Sequence, residues 1–186
     1  MKELILNEQE LIKRCLNKDR HAQEFLFNQF YDNLYRIALR YLSDHHNAED
    51  AVVTAFTKVY KNLSKFKFNG QGSLGRWVRT ILINESIRIL KKQRLLQFEA
   101  DMHLIDREQS EPTGLQQLEA SDIIRLIEQL PAGYRTVFNL FIVEGYSHKE
   151  IADMLGISEN TSKTQLKKAR GQLITKIEEE RSYGTV

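Results

Sequence analysis

The stretch that most limits what this chain can fold into is Ser147-His148-Lys149-Glu150-Ile151-Ala152-Asp153-Met154-Leu155-Gly156-Ile157-Ser158. Ser147 and Glu150 have the spacing of a capping box, in which hydroxyl and carboxylate each satisfy a backbone N–H of the first turn. Ile151, Ala152 and Leu155 then share one helical face. Gly156 can end that helix because φ > 0 costs it little. Ile157 plugs the turn, and Ser158 can cap a second helix from Glu159 to Ile177, with Ser162, Leu166, Ala169, Leu173 and Ile177 on one stripe. Two helices joined by about 3–4 residues with a glycine predict a helix-turn-helix, whose second helix enters the major groove of duplex DNA.

The face opposite that stripe carries Asn160, Lys163, Thr164 and Lys167, flanked by Lys168 and Arg170. Asn and Lys pair with base edges, and Lys and Arg neutralise phosphates. A helical hairpin with a merely solvated basic face is the plainer alternative. The coincidence of caps, glycine, plug residue and basic face favours DNA.

The net charge is only +2, but it is unevenly spread. Between residues 58 and 97 stand Lys58, Lys61, Lys65, Lys67, Arg76, Arg79, Arg88, Lys91, Lys92 and Arg94 against Glu85 alone, a local +9. Such a density is the footprint of a polyanion partner, or else of a solvated basic surface. Residues 98–131 are acidic, at net −6. No apolar run approaches the ~20 residues of a membrane span. A basic-apolar leader is also absent, so the expectation is a cytoplasmic chain without membrane insertion. Cys15 is the single cysteine. It makes no internal disulfide or cysteine zinc site and reads as a half-buried filler.

In chain order, Asn7 and Glu10 can open a short amphipathic helix carrying Leu11, Ile12, Cys15 and Leu16. Asp19 can cap a long one from Arg20 to Leu42. After a polar break at 43–47, Asn47 can cap a helix from Ala48 to Leu63, with Glu49 and Asp50 in its first turn, where carboxylates are favoured. His45 with Glu49, and His46 with Asp50, have a spacing that can hold a metal. The histidines lie in the break, however, and lack a third ligand cluster, so no metal and no cofactor is expected. A loop then interleaves basic and aromatic residues with two glycines, from Ser64 to Ser73. Phe66 and Phe68 can stack on unpaired bases while the lysines hold backbone, although Phe66 and Trp77 suit a core better. Ser73 can cap a helix to about Leu96 with Leu74, Trp77, Val78, Ile81, Ile87, Leu90 and Leu95 inward.

From Phe98 to Gly114 the helical pattern fails, apart from a short helix around 100–105, and Pro112 interrupts it. Helical period resumes from Leu115 to Leu130. Pro131 stands where the next helix, Ala132 to Val143, can begin, and Glu178 to Val186 reads as a charged, fraying tail. Strand-like alternation and internal repeats are absent. The prediction is an all-α chain of two small helical domains, residues 1–97 and 115–186, joined by a flexible acidic linker, 98–114. One domain suits duplex DNA; the other, with its basic aromatic loop beside a basic helix, suits separated strands.

In this order the residues resemble the extracytoplasmic-function sigma factors, the smallest bacterial RNA polymerase initiation factors. Ala48-Glu49-Asp50-Ala51-Val52 with Phe56 is similar to the family's acidic helix that docks on the polymerase clamp. Phe68-Asn69-Gly70-Gln71-Gly72-Ser73-Leu74 with Trp77-Val78, Ile81 and Asn84 is similar to the segment that opens and reads the minus-ten element. Leu130-Pro131, Tyr134-Arg135, Val137-Phe138, Gly145-Tyr146-Ser147, Glu150-Ile151-Ala152, Leu155-Gly156-Ile157-Ser158, Thr161, Lys163, Leu166, Ala169-Arg170 and Leu173 resemble the minus-thirty-five domain.

The resemblance implies a factor that is not an enzyme. It binds core RNA polymerase and promoter DNA, is a monomer when free, and is restrained by an anti-sigma factor. Asn47, Glu49, Asp50, Val53 and Thr54 would face polymerase. Lys67, Asn69, Gly70, Gln71, Arg76, Arg79, Asn84, Arg88 and Lys91 would serve the minus-ten strand, with Asn69, Gly70 and Gln71 capturing a flipped base. Ser158, Asn160, Thr161, Lys163, Thr164, Lys167, Lys168 and Arg170 would serve the minus-thirty-five duplex. Three positions depart from the family pattern: Val53 for Gln, Ser162 for Val, and Gln165 for Arg. A Ser162 hydroxyl can bond back to its own helix, and Gln in place of Arg would remove one phosphate or base contact. A subset of the family resembles Thr-Ser-Lys-Ser/Thr-Gln-Leu here, however, so Ser162 and Gln165 read as a variant and not a loss. A stand-alone helix-turn-helix regulator would leave the +9 segment unexplained, and a metal enzyme would need ligands beyond His45, His46, Glu49 and Asp50.

Overall fold

The computed structural model describes residues 7–93 and 120–183. The predicted linker 98–114, the short helix at 100–105, Leu95 and the first turn of the helix from Leu115 lie outside those residues. The chain divides into two compact units, Met1–Ile89 and Leu90–Val186. Regular structure among the described residues is entirely helical.

In the first unit, α1 (Glu8–Leu16) opens with the Asn7 carboxamide accepting from the Glu10 N–H at 2.8 Å. Helix α2 (Arg20–Leu42) has the bounds its periodicity predicts, and Asp19 accepts from the N–H groups of His21 and Ala22. It buries Ala22, Leu26, Leu34, Ile37, Ala38 and Tyr41. Helix α3 (His45–Asn62) packs on α2 and buries Ala48, Ala51, Val52, Ala55, Phe56 and Val59, the three alanines letting the two axes approach. It starts earlier than expected. Asp44, in extended backbone, accepts from the Asn47 N–H at 2.7 Å and is the cap. An aspartate at that position outcompetes an asparagine one turn on, so Glu49 and Asp50 fall in the second turn and not the first.

Helix α4 (Ser73–Lys92) follows a short 3-10 turn, Leu63–Lys65, and an extended loop. Its inward face is Leu74, Val78, Leu82, Ile83, Ser86, Ile87 and Leu90, together with the fully buried Glu85. Ile81 and Trp77 are half-buried. Phe66 packs against Trp77 with ring centres 5.0 Å apart. Gly75 lets α4 approach α2, since a Cβ there would stand 3.1 Å from the Phe30 ring. Cys15 is buried rather than half-buried, and burial pushes its thiol up to about 11.

The second unit is built around α8 (Glu159–Tyr183), against which α5 (Ala120–Glu128), α6 (Ala132–Phe138) and α7 (His148–Leu155) pack. Leu126, Ile127, Leu130, Ala169 and Leu173 form a buried cluster flanked by Tyr134, Phe138 and Ile177. Pro131 is the N-cap residue of α6. The single helix predicted for Ala132 to Val143 is instead α6 followed by a π turn, Asn139–Val143. Helix α8 runs on past Ile177, through residues read as a fraying tail. Glu180 pairs with Arg125 at 2.8 Å, and Lys176 donates to the Gln129 amide at 2.9 Å, so the end is tied to α5 and the turn that follows it.

Candidate nucleic-acid interface

The helix-turn-helix forms as its spacing predicts. The Glu150 N–H donates to the Ser147 hydroxyl, and the Ser147 N–H and hydroxyl donate to the Glu150 carboxylate at 2.8 and 2.7 Å. Those bonds hold the Glu150 carboxyl below its ordinary range. Gly156 takes φ +74°, and the N–H groups of Gly156 and Ile157 both donate to the Ala152 carbonyl. The Thr161 N–H donates to the Ser158 hydroxyl at 2.9 Å, and the two hydroxyls of Ser158 and Thr161 are 2.8 Å apart.

On α8, Asn160, Lys163, Lys167 and Arg170 are exposed, and Thr161, Thr164 and Lys168 are half-exposed; Ser158, just before it, is also exposed. The opposite stripe of Ser162, Gln165, Leu166, Ala169 and Leu173 is buried. Two of the three departures from the family pattern, Ser162 and Gln165, therefore sit inside. The Ser162 hydroxyl meets the His148 ring Nδ1 at 2.9 Å, a partner on α7 in place of its own helix carbonyl. His148 also stacks on Phe141, with centres 4.4 Å apart. Burial, then the nearby charge of Lys163, holds His148 below the ordinary histidine range. Gln165 is fully buried, and neither amide atom has a hydrogen-bond partner among the described residues.

Arg135 faces inward too. Its guanidinium donates to the carbonyls of Glu128 and Leu130 at 2.8 and 2.7 Å, satisfying acceptors that the end of α5 leaves open. Burial pushes its pKa down.

In the first unit and along α4, Lys67, Asn69, Gly70, Gln71, Arg76, Asn84, Arg88 and Lys91 are exposed, Arg79 is half-exposed, and Phe68 is 38% exposed. Gly70 and Gly72 take φ of +83° and +80°, which an L side chain rarely adopts. Helix α4 begins one residue earlier than the Ser73 cap expected from sequence would place it. Gly72 supplies the first helical carbonyl, to the Arg76 N–H, and Ser73 is already helical. The capping oxygens come instead from Glu8 of α1. The N–H groups of Gly72 and Leu74 each donate to its carboxylate at 2.5 Å, and the Ser73 hydroxyl donates to it at 3.2 Å. The Ser73 hydroxyl in turn accepts from the Asn69 N–H. Sequence reading missed Glu8, because its partners lie more than sixty residues away.

Arg88 does not stand alone. Glu85 accepts from Lys58 of α3 and from Arg88, whose Nε donates at 2.8 Å. Burial pushes the Glu85 carboxyl up, but the hydrogen bonds and charges of Arg88 and Lys58 prevail and leave it below its ordinary range. Each cation is about half exposed, so the pair presents positive charge outward while neutralising the buried carboxylate.

On α3, Glu49, Asp50 and Val53 are exposed, Val53 by 56%, while Asn47 and Thr54 are half-exposed. The two histidines lie on the helix and not in a break before it. His46 pairs with Asp50 at 3.7 Å, and the His45 ring meets the Tyr35 hydroxyl at 2.6 Å. No group of three or more His, Cys, Asp or Glu is placed to hold a metal among the described residues. None of the described helices is long and apolar enough to cross a membrane.

Two family models match the chain: Sigma-70 region 2 over residues 26–95, and Sigma-70, region 4 over residues 120–173. Among curated relatives, the ECF RNA polymerase sigma factor SigW of Bacillus subtilis is 29% identical over 180 residues, covering 87% of this chain and 92% of that protein. The ECF RNA polymerase sigma factor SigE of Mycolicibacterium smegmatis is 26% identical over 153 residues, covering 80% of this chain and 58% of its own length. A solved structure of the sigma factor RpoE in complex with the anti-sigma factor NepR, from Bartonella quintana, is similar with a TM-score of 0.49 and 24% identity, covering 81% of this chain and 92% of that one.

Proposed function

The chain belongs to the extracytoplasmic-function sigma factors of the sigma-70 family, and we propose that it directs core RNA polymerase to promoters by reading two DNA elements with two separate units. Residues 1–97 act as region 2, 98–114 as the linker and 115–186 as region 4. The observation that carries this reading is the pairing of each matched region with an exposed, DNA-competent element. Region 4 offers Asn160, Lys163, Lys167 and Arg170 on one face of α8. Region 2 offers a glycine loop with exposed Asn69 and Gln71 beside a basic helix.

Lys163 and Asn160 read base edges of the minus-thirty-five duplex, while Ser158, Thr161, Thr164, Lys167, Lys168 and Arg170 hold its backbone. Asn69, Gly70 and Gln71 capture a flipped minus-ten base, and Lys67, Arg76, Arg79, Asn84, Arg88 and Lys91 hold the opened strand. Asn47, Glu49, Asp50, Val53 and Thr54 dock on polymerase. The protein carries out no chemistry of its own, works in the cytoplasm, and is restrained by an anti-sigma factor until its signal arrives.

Run-off transcription with core polymerase and a pool of promoter fragments tests the whole. Discrete starts that need both proteins are expected, and alignment of their upstream sequences yields both elements. Tight, selective binding to duplex by the chain alone, with no starts, would instead identify a stand-alone regulator.

A further inference from the structure

Within the loop assigned to minus-ten capture, the Ser73 N–H donates to the Gly70 carbonyl at 3.2 Å, a single local turn. Gly70 and Gly72 carry positive φ, and a Cβ at Gly70 would meet no heavy atom within 4 Å. Four polar groups of the loop and of the first turn of α4 are nevertheless fixed, directly or through one hydroxyl, by a single carboxylate on another helix. Glu8 accepts from the N–H of Gly72, the N–H of Leu74 and the hydroxyl of Ser73, and Ser73 passes the constraint to the Asn69 N–H. A carboxylate at the start of α4 is also where the helix dipole favours negative charge. It fills the place that a DNA phosphate would otherwise find attractive.

Resting on the minus-ten reading above, we propose that Glu8 is a positioning residue for promoter opening: from α1 it sets the conformation in which Asn69 and Gln71 meet the flipped base, without touching DNA itself. Two glycines give the unheld loop many conformations, and only some present those side chains together. Selecting one in advance removes an entropic cost from base capture.

The test uses full-length protein assembled with core polymerase, and a fluorescent single-stranded minus-ten oligonucleotide of the sequence found by run-off mapping. A second oligonucleotide changes the captured base. The readout is the affinity ratio between the two, which a merely structural defect would not move. Glu8→Ala is expected to lower that ratio roughly five- to tenfold, the scale of a lost helix cap. Glu8→Gln keeps one acceptor oxygen and should lose less. Ser73→Ala frees the Asn69 N–H and removes one of the three donors to Glu8, leaving the Gly72 and Leu74 N–H bonds in place, and should fall between wild type and Glu8→Ala. Core polymerase affinity should be unchanged in all three, and Trp77 fluorescence during unfolding confirms that the unit folds. A ratio unchanged in Glu8→Ala but lowered in Asn69→Ala would overturn the role of Glu8. Equal weakening of both oligonucleotides by Glu8→Ala would do the same. Ratios unchanged in both Asn69→Ala and Gln71→Ala would overturn the minus-ten reading of the loop, and the proposal with it.

Discussion

The two units hold their DNA-facing elements by opposite means. In the second unit the caps and the turn before α8 are set by bonds between residues within six positions of each other, namely Ser147 with Glu150, Gly156 and Ile157 with Ala152, and Ser158 with Thr161, and His148 with Ser162 adds one longer link across the two helices. In the first unit the loop before α4 is held by Glu8, on a helix at the other end of the unit's sequence. Their buried charges differ in the same way. Arg135 is satisfied by carbonyls five and seven residues back, whereas Glu85 relies on Lys58, 27 residues away, as well as Arg88. A locally capped element forms with its own segment; a remotely capped one exists only once the tertiary fold has closed.

The largest test of that contrast is Lys58→Met with Arg88→Met. It leaves the Glu85 carboxylate buried and unpaired, and should cost about 3–5 kcal/mol. Trp77, the single tryptophan, reports this in denaturant because it lies in the first unit. Glu85→Gln should cost much less, since the freed cations are 44% and 55% exposed and reach water. Equal costs would show that pairing is not what matters there.

Arg135→Met comes next. It takes the guanidinium from the buried Leu130 carbonyl and the partly buried Glu128 carbonyl, and should cost about 2–3 kcal/mol in the second unit alone. Hydrogen exchange in α5 and α6 should rise while the Trp77 transition stays in place. Lys163→Ala should weaken minus-thirty-five preference by about 1–3 kcal/mol if the side chain meets a base. Uniform loss across promoter sequences would mark a phosphate contact instead.

Gly156→Ala should cost only about 1–2 kcal/mol, the strain of a left-handed alanine, because an added Cβ there meets nothing within 4 Å. A larger loss would mean that the turn is less autonomous than its local bonds suggest. Acid gives the gentlest comparison. Burial and Lys163, aided by Arg170 and opposed by Glu159, hold His148 below its unfolded value. Its contribution is therefore complete above the unfolded histidine range, near pH ~6.5, and is lost as pH falls through the folded pKa. The Glu85 carboxyl is also lowered, so its contribution is complete above about pH 4.3 and is lost at lower pH. On lowering the pH, hydrogen exchange in α7 and α8 should rise before the Trp77 signal changes. The reverse order would contradict the assignment.

The same division explains what could be read in advance. The bounds of α2, the capping box at Ser147 and the turn at Gly156 were legible because their determinants are neighbours in sequence. The exposed face of α8 followed from its period. Glu8 as the cap of α4 was not legible, since nothing near residue 72 names a partner at residue 8. Nor was the inward turn of Glu85, Arg135 and Gln165, where polar side chains occupy positions that periodicity would give to apolar ones. The start of α3 was misplaced by taking Asn47 as the cap where Asp44, one turn earlier, caps it instead.

The length of α8 has a consequence for how promoters are told apart. Near the end that carries Asn160 and Lys163 it is held by α7, through buried Ser162, Gln165 and Leu166, and its rear grip on the unit lies at Ala169, Leu173 and Ile177. From Asn160 to Leu173 an α-helix rises about 20 Å, so a tilt of about 5° at the grip swings the tip by nearly 2 Å. Hydrogen bonds to base edges tolerate only a few tenths of an ångström. Leu126, Ile127 and Leu130 on and just after α5 thus act as the mount of a pointer, and an apolar substitution that repacks them would shift which bases Lys163 can reach.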